Sequence, residues 1–278
     1  MRKGKSMVQY DLNRGKKDMI QPKLQSSIRQ MADRIYSILS DTEPSIYLYG
    51  SVTFDDFQLG WSDIDILILT QTPIEQHQAE RLVTLRQEMQ KEQPDNRYFS
   101  AFEGGMLTLS AFADHKQDRV VYWGTSGQRI TDTYIFDSFC MVELLESGIL
   151  LAGREIRERL QKPAYQELHA DVQKHYDTIR KYAQQTDRSL YSFGWLLDIA
   201  RGIYTLRTGK VIAKTSAGEW ALKEKLCPAP EIMEMALEVR RNPWKFKSDE
   251  KLSAYAETLG TDVQAFADVL QAELTLVH

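Results

Sequence analysis

Two carboxylates, Asp63 and Asp65, stand two residues apart at the head of the apolar run Ile64 to Leu69. In a strand that spacing puts both on one face, where like charges repel. A divalent cation makes such a pair favourable, and Mg²⁺ takes one or two carboxylates together with phosphate oxygens. An earlier apolar stretch, Ser45-Ile-Tyr-Leu-Tyr49, ends in Gly50-Ser51. Glycine lets backbone come close to a ligand, and exposed N–H groups with a serine hydroxyl hold a phosphate. A phosphate cradle and metal carboxylates therefore fall on neighbouring strand ends, which suits a nucleoside triphosphate with its metal.

Gly50-Ser51, an eleven-residue spacer and Asp63-Ile64-Asp65 resemble the G-S…D-x-D signature of the DNA-polymerase-β-like nucleotidyltransferases. The Ser62-Asp-Ile-Asp65 form with apolar residues behind it is similar to the small antibiotic-modifying members, the streptomycin/spectinomycin (aminoglycoside) adenylyltransferases. The resemblance implies in-line attack of a hydroxyl on the α-phosphorus of ATP, with pyrophosphate leaving. Asp63 and Asp65 would hold two Mg²⁺ ions, and Gly50 and Ser51 would seat the phosphates. The attacking hydroxyl needs its proton taken, so a third carboxylate is expected as general base. Glu103 follows Asp65 by thirty-eight residues, the separation at which these enzymes carry that base. Gly104-Gly105 departs from the β-branched residues the family prefers there, and Asp114 is the other candidate.

The resemblance continues from Leu197-Asp-Ile-Ala-Arg201 through Thr208-Gly-Lys210 to Lys214 and Trp220-Ala. It implies that Arg201 and Lys214, thirteen residues apart, reach triphosphate oxygens. Fixed cations there stabilise the charge that builds on departing pyrophosphate. Lys210 reads instead as a cation near a helix C-terminus. Agreement is poorer at the acceptor end. The streptomycin-modifying enzymes place a substrate-contacting aspartate ten residues before the arginine, where this chain has Tyr191, and seven residues before it stands Gly194. Asp187 lies about a turn earlier and reads either as a substitute or as an N-cap. Trp123 is a loose counterpart of a drug-stacking tryptophan and equally a core residue at a strand edge.

Several elements must position these groups. Leu24, Ile28, Met31, Ile35 and Ile38 share one face of a helix over 22–40 that Pro22 can open. An amphipathic helix is expected over 73–91. Tyr98 to Phe112 reads as a strand pair or one long strand, and Arg119 to Trp123 as a short one. Helices on one face would cover this small mixed sheet. From Asp132 on, strand signals vanish, and helices are expected near 165–185, 189–208, 215–226, 229–240 and 249–275. A capping box at Ser216–Glu219 opens one of them. The expected organisation is a tail over 1–20, an α/β (α+β) nucleotidyltransferase domain over 21–160, and an all-α helical bundle over 161–278, with the active site between the two domains.

Composition narrows the function. The chain of 278 residues carries a net charge of −4. That argues against a nucleic-acid partner, which calls for a basic channel, and is compatible with a cationic small-molecule acceptor. Cys140 and Cys227 are far apart, which points to a reducing compartment, and no segment reads as a signal peptide or membrane span. A cytoplasmic monomer or homodimer is expected. A different acceptor (a lincosamide, another metabolite or a protein hydroxyl) and a nucleotide-binding regulator without transfer are the alternatives.

Overall fold

A computed structural model describes residues 21–124 and 127–276, so the expected 1–20 tail lies outside the described residues. The chain divides into two compact units. One comprises the described residues up to Phe57, Asp63–Phe136 and Cys140–Lys162, and the other Gln58–Ser62, Asp137–Phe139 and the residues from Pro163 on.

The first unit opens with α1 (Pro22–Ile38), whose buried residues include Leu24, Ile28, Met31, Ile35 and Ile38, the periodic set in the sequence. β1 (Ser45–Tyr49), β2 (Ile64–Thr70), α2 (Gln76–Glu92), β3 (Phe102–Thr108), α3 (Leu109–Asp114), β4 (Val120–Gly124), β5 (Gly127–Thr131), α4 (Ser138–Ser147) and β6 (Ile149–Ala152) follow. They build one six-stranded sheet in the order β5-β4-β3-β2-β1-β6. Only β2 and β3 pair in parallel; the other neighbours are antiparallel.

Strand alternation gives the sheet two faces. Tyr47, Tyr49, Leu67, Leu69 and Leu107 join one core with Leu144 of α4, Phe112 of α3 and Ile156. Ile46, Leu48, Ile66, Ile68, Met106 and Trp123 are buried on the alternate positions. On that side the Trp123 Nε1 donates to the Leu82 carbonyl of α2 at 3.0 Å. Helices thus lie on both faces, not on one as the sequence implied, because α4 returns to the sheet before β6.

Other expectations need correction too. Tyr98 to Phe112 is a 3₁₀ turn, then β3, then α3, in which the Thr108 hydroxyl caps the Ala111 N–H at 3.2 Å. Strands do not end at Asp132, since β6 closes the far edge of the sheet against β1. Ser216 opens no helix: it lies inside the first turn of a helix that starts at Lys214.

The second unit holds α5 (Tyr165–Tyr182), α6 (Gly194–Thr208), α7 (Lys214–Lys223), α8 (Pro230–Arg241), α9 (Pro243–Phe246), α10 (Glu250–Ala256) and α11 (Gly260–Thr275). Its core is built from Val172 and Ile179 of α5, Ile199 and Ile203 of α6, Met233 of α8 and Phe266 of α11. The single helix expected over 249–275 is two, α10 and α11. Gly260 opens α11 against the Gln184 backbone, where a Cβ would lie 2.9 Å from the carbonyl carbon. Among the described residues no helix is long and apolar enough to cross a membrane.

Candidate active site

β2 and β3 run parallel, so their first residues share one end of the sheet. Asp65 is the register partner of Glu103, and Tyr49, the last residue of β1, is the partner of Asp65 on its other side. Directly after Tyr49 the chain turns through Gly50, at a φ of 71° that only glycine adopts freely. A Cβ there would lie 2.9 Å from the Asp65 carboxyl carbon. The glycine therefore lets the strand end pass against the carboxylate. Ser51 follows in a single 3₁₀ turn, and its hydroxyl donates to the Asp63 carbonyl at 3.2 Å. Gly50, Ser51, Asp63, Asp65 and Glu103 are thus brought to one end of the sheet.

Glu103 is half-buried and its pKa is raised. Burial is the main cause, and the neighbouring Asp63 carboxylate adds to it by charge and by a shared hydrogen bond. The Tyr122 hydroxyl, which donates to Glu103 Oε1 at 3.2 Å, and the Arg86 charge oppose the rise. Arg86 itself is fixed by donating from Nη1 to the Phe102 carbonyl at 2.6 Å. Tyr122 and Arg86 join the carboxylates without being singled out in the sequence. For Tyr122 the signal was its place in β4 opposite the glycine pair.

That glycine pair, the departure noted after Glu103, has a packing cause. A Cβ on Gly104 would lie 2.9 Å from the Ile66 carbonyl carbon, and one on Gly105 would lie 2.6 Å from the Tyr134 ring. Asp114 is placed elsewhere. It ends α3, past the far end of β3, which runs about 17 Å from Glu103 to Thr108, and is exposed in an ion pair with Lys116 at 2.7 Å.

Among the described residues no group of three or more His, Cys, Asp or Glu side chains is arranged to hold a metal ion. Asp63 and Asp65 fit Mg²⁺ in donor type, since magnesium binds through one or two carboxylates with substrate phosphates completing its shell. Gly50 leaves the Asp65 carboxylate room that a side chain would fill.

The expected cations lie in the second unit. Arg201 sits on α6 with its guanidinium 5.1 Å from the centre of the Phe139 ring. The helix ends at Thr208, with Gly209 at a φ of 65° as its cap. Lys214 then begins α7, and its ammonium donates to Asp198 at 2.7 Å. Lys210 is exposed just past the helix end.

Of the acceptor candidates, Asp187 is exposed and accepts from the Ser189 N–H at 2.9 Å and the Ser192 hydroxyl at 3.1 Å, so it organises the turn before α6. Tyr191 is 58% exposed, packs against Trp61 with ring centroids 5.1 Å apart and planes tilted by 42°, and donates to the Gly60 carbonyl at 2.9 Å. Trp123 is fully buried against α2 and offers no ring face to a ligand, which corrects the stacking expectation in favour of the core one.

Residues 164–271 match the family described as aminoglycoside adenylyltransferase, C-terminal domain. No curated protein sequence matches the chain. Among solved structures, spectinomycin adenyltransferase AAD(9) from Enterococcus faecialis, determined with ATP and spectinomycin, superposes over 89% of this chain and 99% of its own, with a TM-score of 0.60 and 15% identity. At that identity the likeness establishes a shared fold alone, a mixed-sheet α/β unit together with a helical one. The chain thus resembles the aminoglycoside adenylyltransferases, sharing the fold of one along most of its length and matching the family's C-terminal domain over residues 164–271.

Proposed function

We propose that the protein is an adenylyltransferase that moves AMP from ATP to a hydroxyl of an aminoglycoside-like small molecule and releases pyrophosphate. The observation that carries this reading is the grouping of Asp63, Asp65 and Glu103 at one end of the sheet beside Gly50-Ser51. Residues 21–160 supply the nucleotidyl-transfer groups, and residues 161–278 supply Arg201 and Lys214 for the triphosphate.

In this reading Glu103 takes the proton of the attacking hydroxyl. Burial and the Asp63 charge make it a stronger base than an ordinary carboxylate, which suits the task near neutral pH. Tyr122 donates to its Oε1 and so fixes the orientation of the carboxylate. Asp63 and Asp65 would hold the magnesium ions, which when bound supply neutralisation of the triphosphate and alignment of the attacking and leaving oxygens. Gly50 and Ser51 cradle phosphate oxygens through backbone N–H groups and a hydroxyl.

The structural relative binds ATP and spectinomycin. Here Tyr191 stands where the resemblance calls for an acidic acceptor contact, and its exposed ring favours a second reading in which the acceptor presents an apolar face and fewer cationic groups. Pyrophosphate release from Mg·ATP, measured against aminoglycosides, aminocyclitols, lincosamides and other hydroxyl compounds, tests both. Release with none of them, while Mg·ATP still binds, would favour a nucleotide-binding regulator.

A further inference from the structure

Asp198 is a carboxylate inside a helical unit. It lies on α6 one turn before Arg201, and its side chain is only 17% exposed. The Lys214 ammonium donates to its Oδ1 at 2.7 Å, and His175 Nε2 of α5 stands at ion-pair distance, 3.7 Å, from its Oδ2. Burial alone would push the Asp198 pKa up, but the Lys214 ammonium and the hydrogen-bonding His175 ring outweigh it and hold the carboxyl well below its usual range.

Lys214 is as unusual as its partner. It is the first residue of α7, where the helix dipole presents its positive end and disfavours a cation. Each group is thus unfavourable alone and stable as a pair, since a buried charge needs a partner at close range. An ammonium has three donors, so the one given to Asp198 leaves two for other acceptors. A lysine on a flexible stem that is tethered this way loses little further freedom when a polyanion arrives.

We infer that Asp198 is a positioning residue that anchors Lys214 at the start of α7, so that its remaining donors are fixed for the outer phosphates of the nucleotide. The inference rests on the reading in which Lys214 serves the triphosphate. It implies a selective effect: loss of the anchor weakens binding of a triphosphate and spares a monophosphate, which has no outer phosphates to meet the lysine.

Calorimetric titration of Mg·ATP and of AMP into the intact protein tests this with wild type, Asp198→Asn, Lys214→Met and the double variant. Asp198→Asn is expected to weaken ATP about tenfold, the scale of one charge-assisted hydrogen bond, with AMP unchanged. Lys214→Met should lose at least as much, and Asp198→Asn should add nothing in that background. An unchanged ATP-to-AMP preference in Asp198→Asn overturns the inference, and so does tighter ATP binding, which would make Asp198 a competitor for Lys214. If thermal melting shows that Asp198→Asn is unfolded, Asp198→Glu, which keeps the charge and moves it by one methylene, is expected to lose ATP preference in the same assay. An unaltered preference there is equally fatal. A folded wild type that binds no Mg·ATP would defeat the adenylyltransferase reading itself, an outcome distinct from ATP binding that ignores Asp198.

Discussion

Asp65 and Glu103 are register partners across the parallel pair β2 and β3. Their side chains therefore leave the same face at the same end of the sheet, about 5 Å apart in the pairing direction. In an otherwise antiparallel sheet this is the one pairing that aligns two strand starts, and it brings carboxylates thirty-eight residues apart in sequence into one group.

The carboxylate pair makes the first prediction. Asp63→Asn and Asp65→Asn are each expected to reduce AMP transfer to background while the melting temperature stays close to wild type. Asp63 is exposed, and neutralising either group relieves repulsion within the cluster. Chelation by EDTA should silence the wild type in the same way, and added Mg²⁺ should restore it. Pyrophosphate release and thermal melts are the measurements, and full turnover in both variants would refute the assignment.

Glu103 and Tyr122 make the second. Glu103→Gln should lower kcat by about 10²–10⁴-fold, the usual contribution of a general base, with KM for ATP little changed. Tyr122→Phe removes the hydrogen bond at 3.2 Å and should cost about tenfold in kcat. Asp114→Asn, at the far end of β3, should leave steady-state rates at the wild-type level. If Asp114→Asn is the variant that loses kcat, Glu103 is not the base.

Much of this arrangement was legible from residue types, and the gaps have physical causes. Asp63, Asp65 and Gly50-Ser51 stood out because strand periodicity and a turn residue fix their relative placement over a short span. α1 was visible because its buried positions recur with the helical period. β5 was not, because Gly127-Gln-Arg-Ile-Thr131 is an edge strand with no buried residue and so shows no apolar alternation. β6 was hidden by its length of four residues and its apolar sequence, which reads equally well as the end of the preceding helix. Trp123 was ambiguous because a shift of one residue changes the face of a strand, and the neighbour Tyr122 holds the position toward Glu103. The Asp198–Lys214 pair depends on how α6 and α7 pack, which no local spacing reveals.

Gly105 makes the third prediction. A Cβ at this position would press on the Tyr134 ring at 2.6 Å. Gly105→Ala should therefore destabilise the protein by about 1–3 kcal/mol, the cost of overpacking a core. Tyr134→Leu should recover part of the loss in the Gly105→Ala background, because a shorter side chain frees the space. Urea denaturation midpoints of the two single variants and the double variant measure this coupling, and strict additivity would show that the ring is not what the glycine accommodates.

The fourth prediction concerns acid. Glu155 accepts from the Tyr47 hydroxyl at 2.9 Å, from the Ile156 and Arg157 N–H groups at 3.1 and 3.0 Å, and from the Arg157 guanidinium at 2.9 and 2.6 Å. The Arg157 hydrogen bonds outweigh burial and hold its carboxyl at about 2, against an ordinary 4.5. The folded state thus gives up this proton more readily than the unfolded chain, so between the two values the unfolded chain binds more protons. The stability that Glu155 contributes is complete above about pH 4.5 and is lost as the pH falls toward about 2. Its size is limited, since the Glu155 side chain is 40% exposed and water screens the pair. Glu155→Gln should therefore be less stable than wild type at pH 7, and the difference between their urea midpoints should narrow through that window as the wild-type carboxylate takes up its proton. A difference that stays constant across the window would mean that the cluster stabilises the fold by packing and neutral hydrogen bonds, with no share from the Glu155 charge.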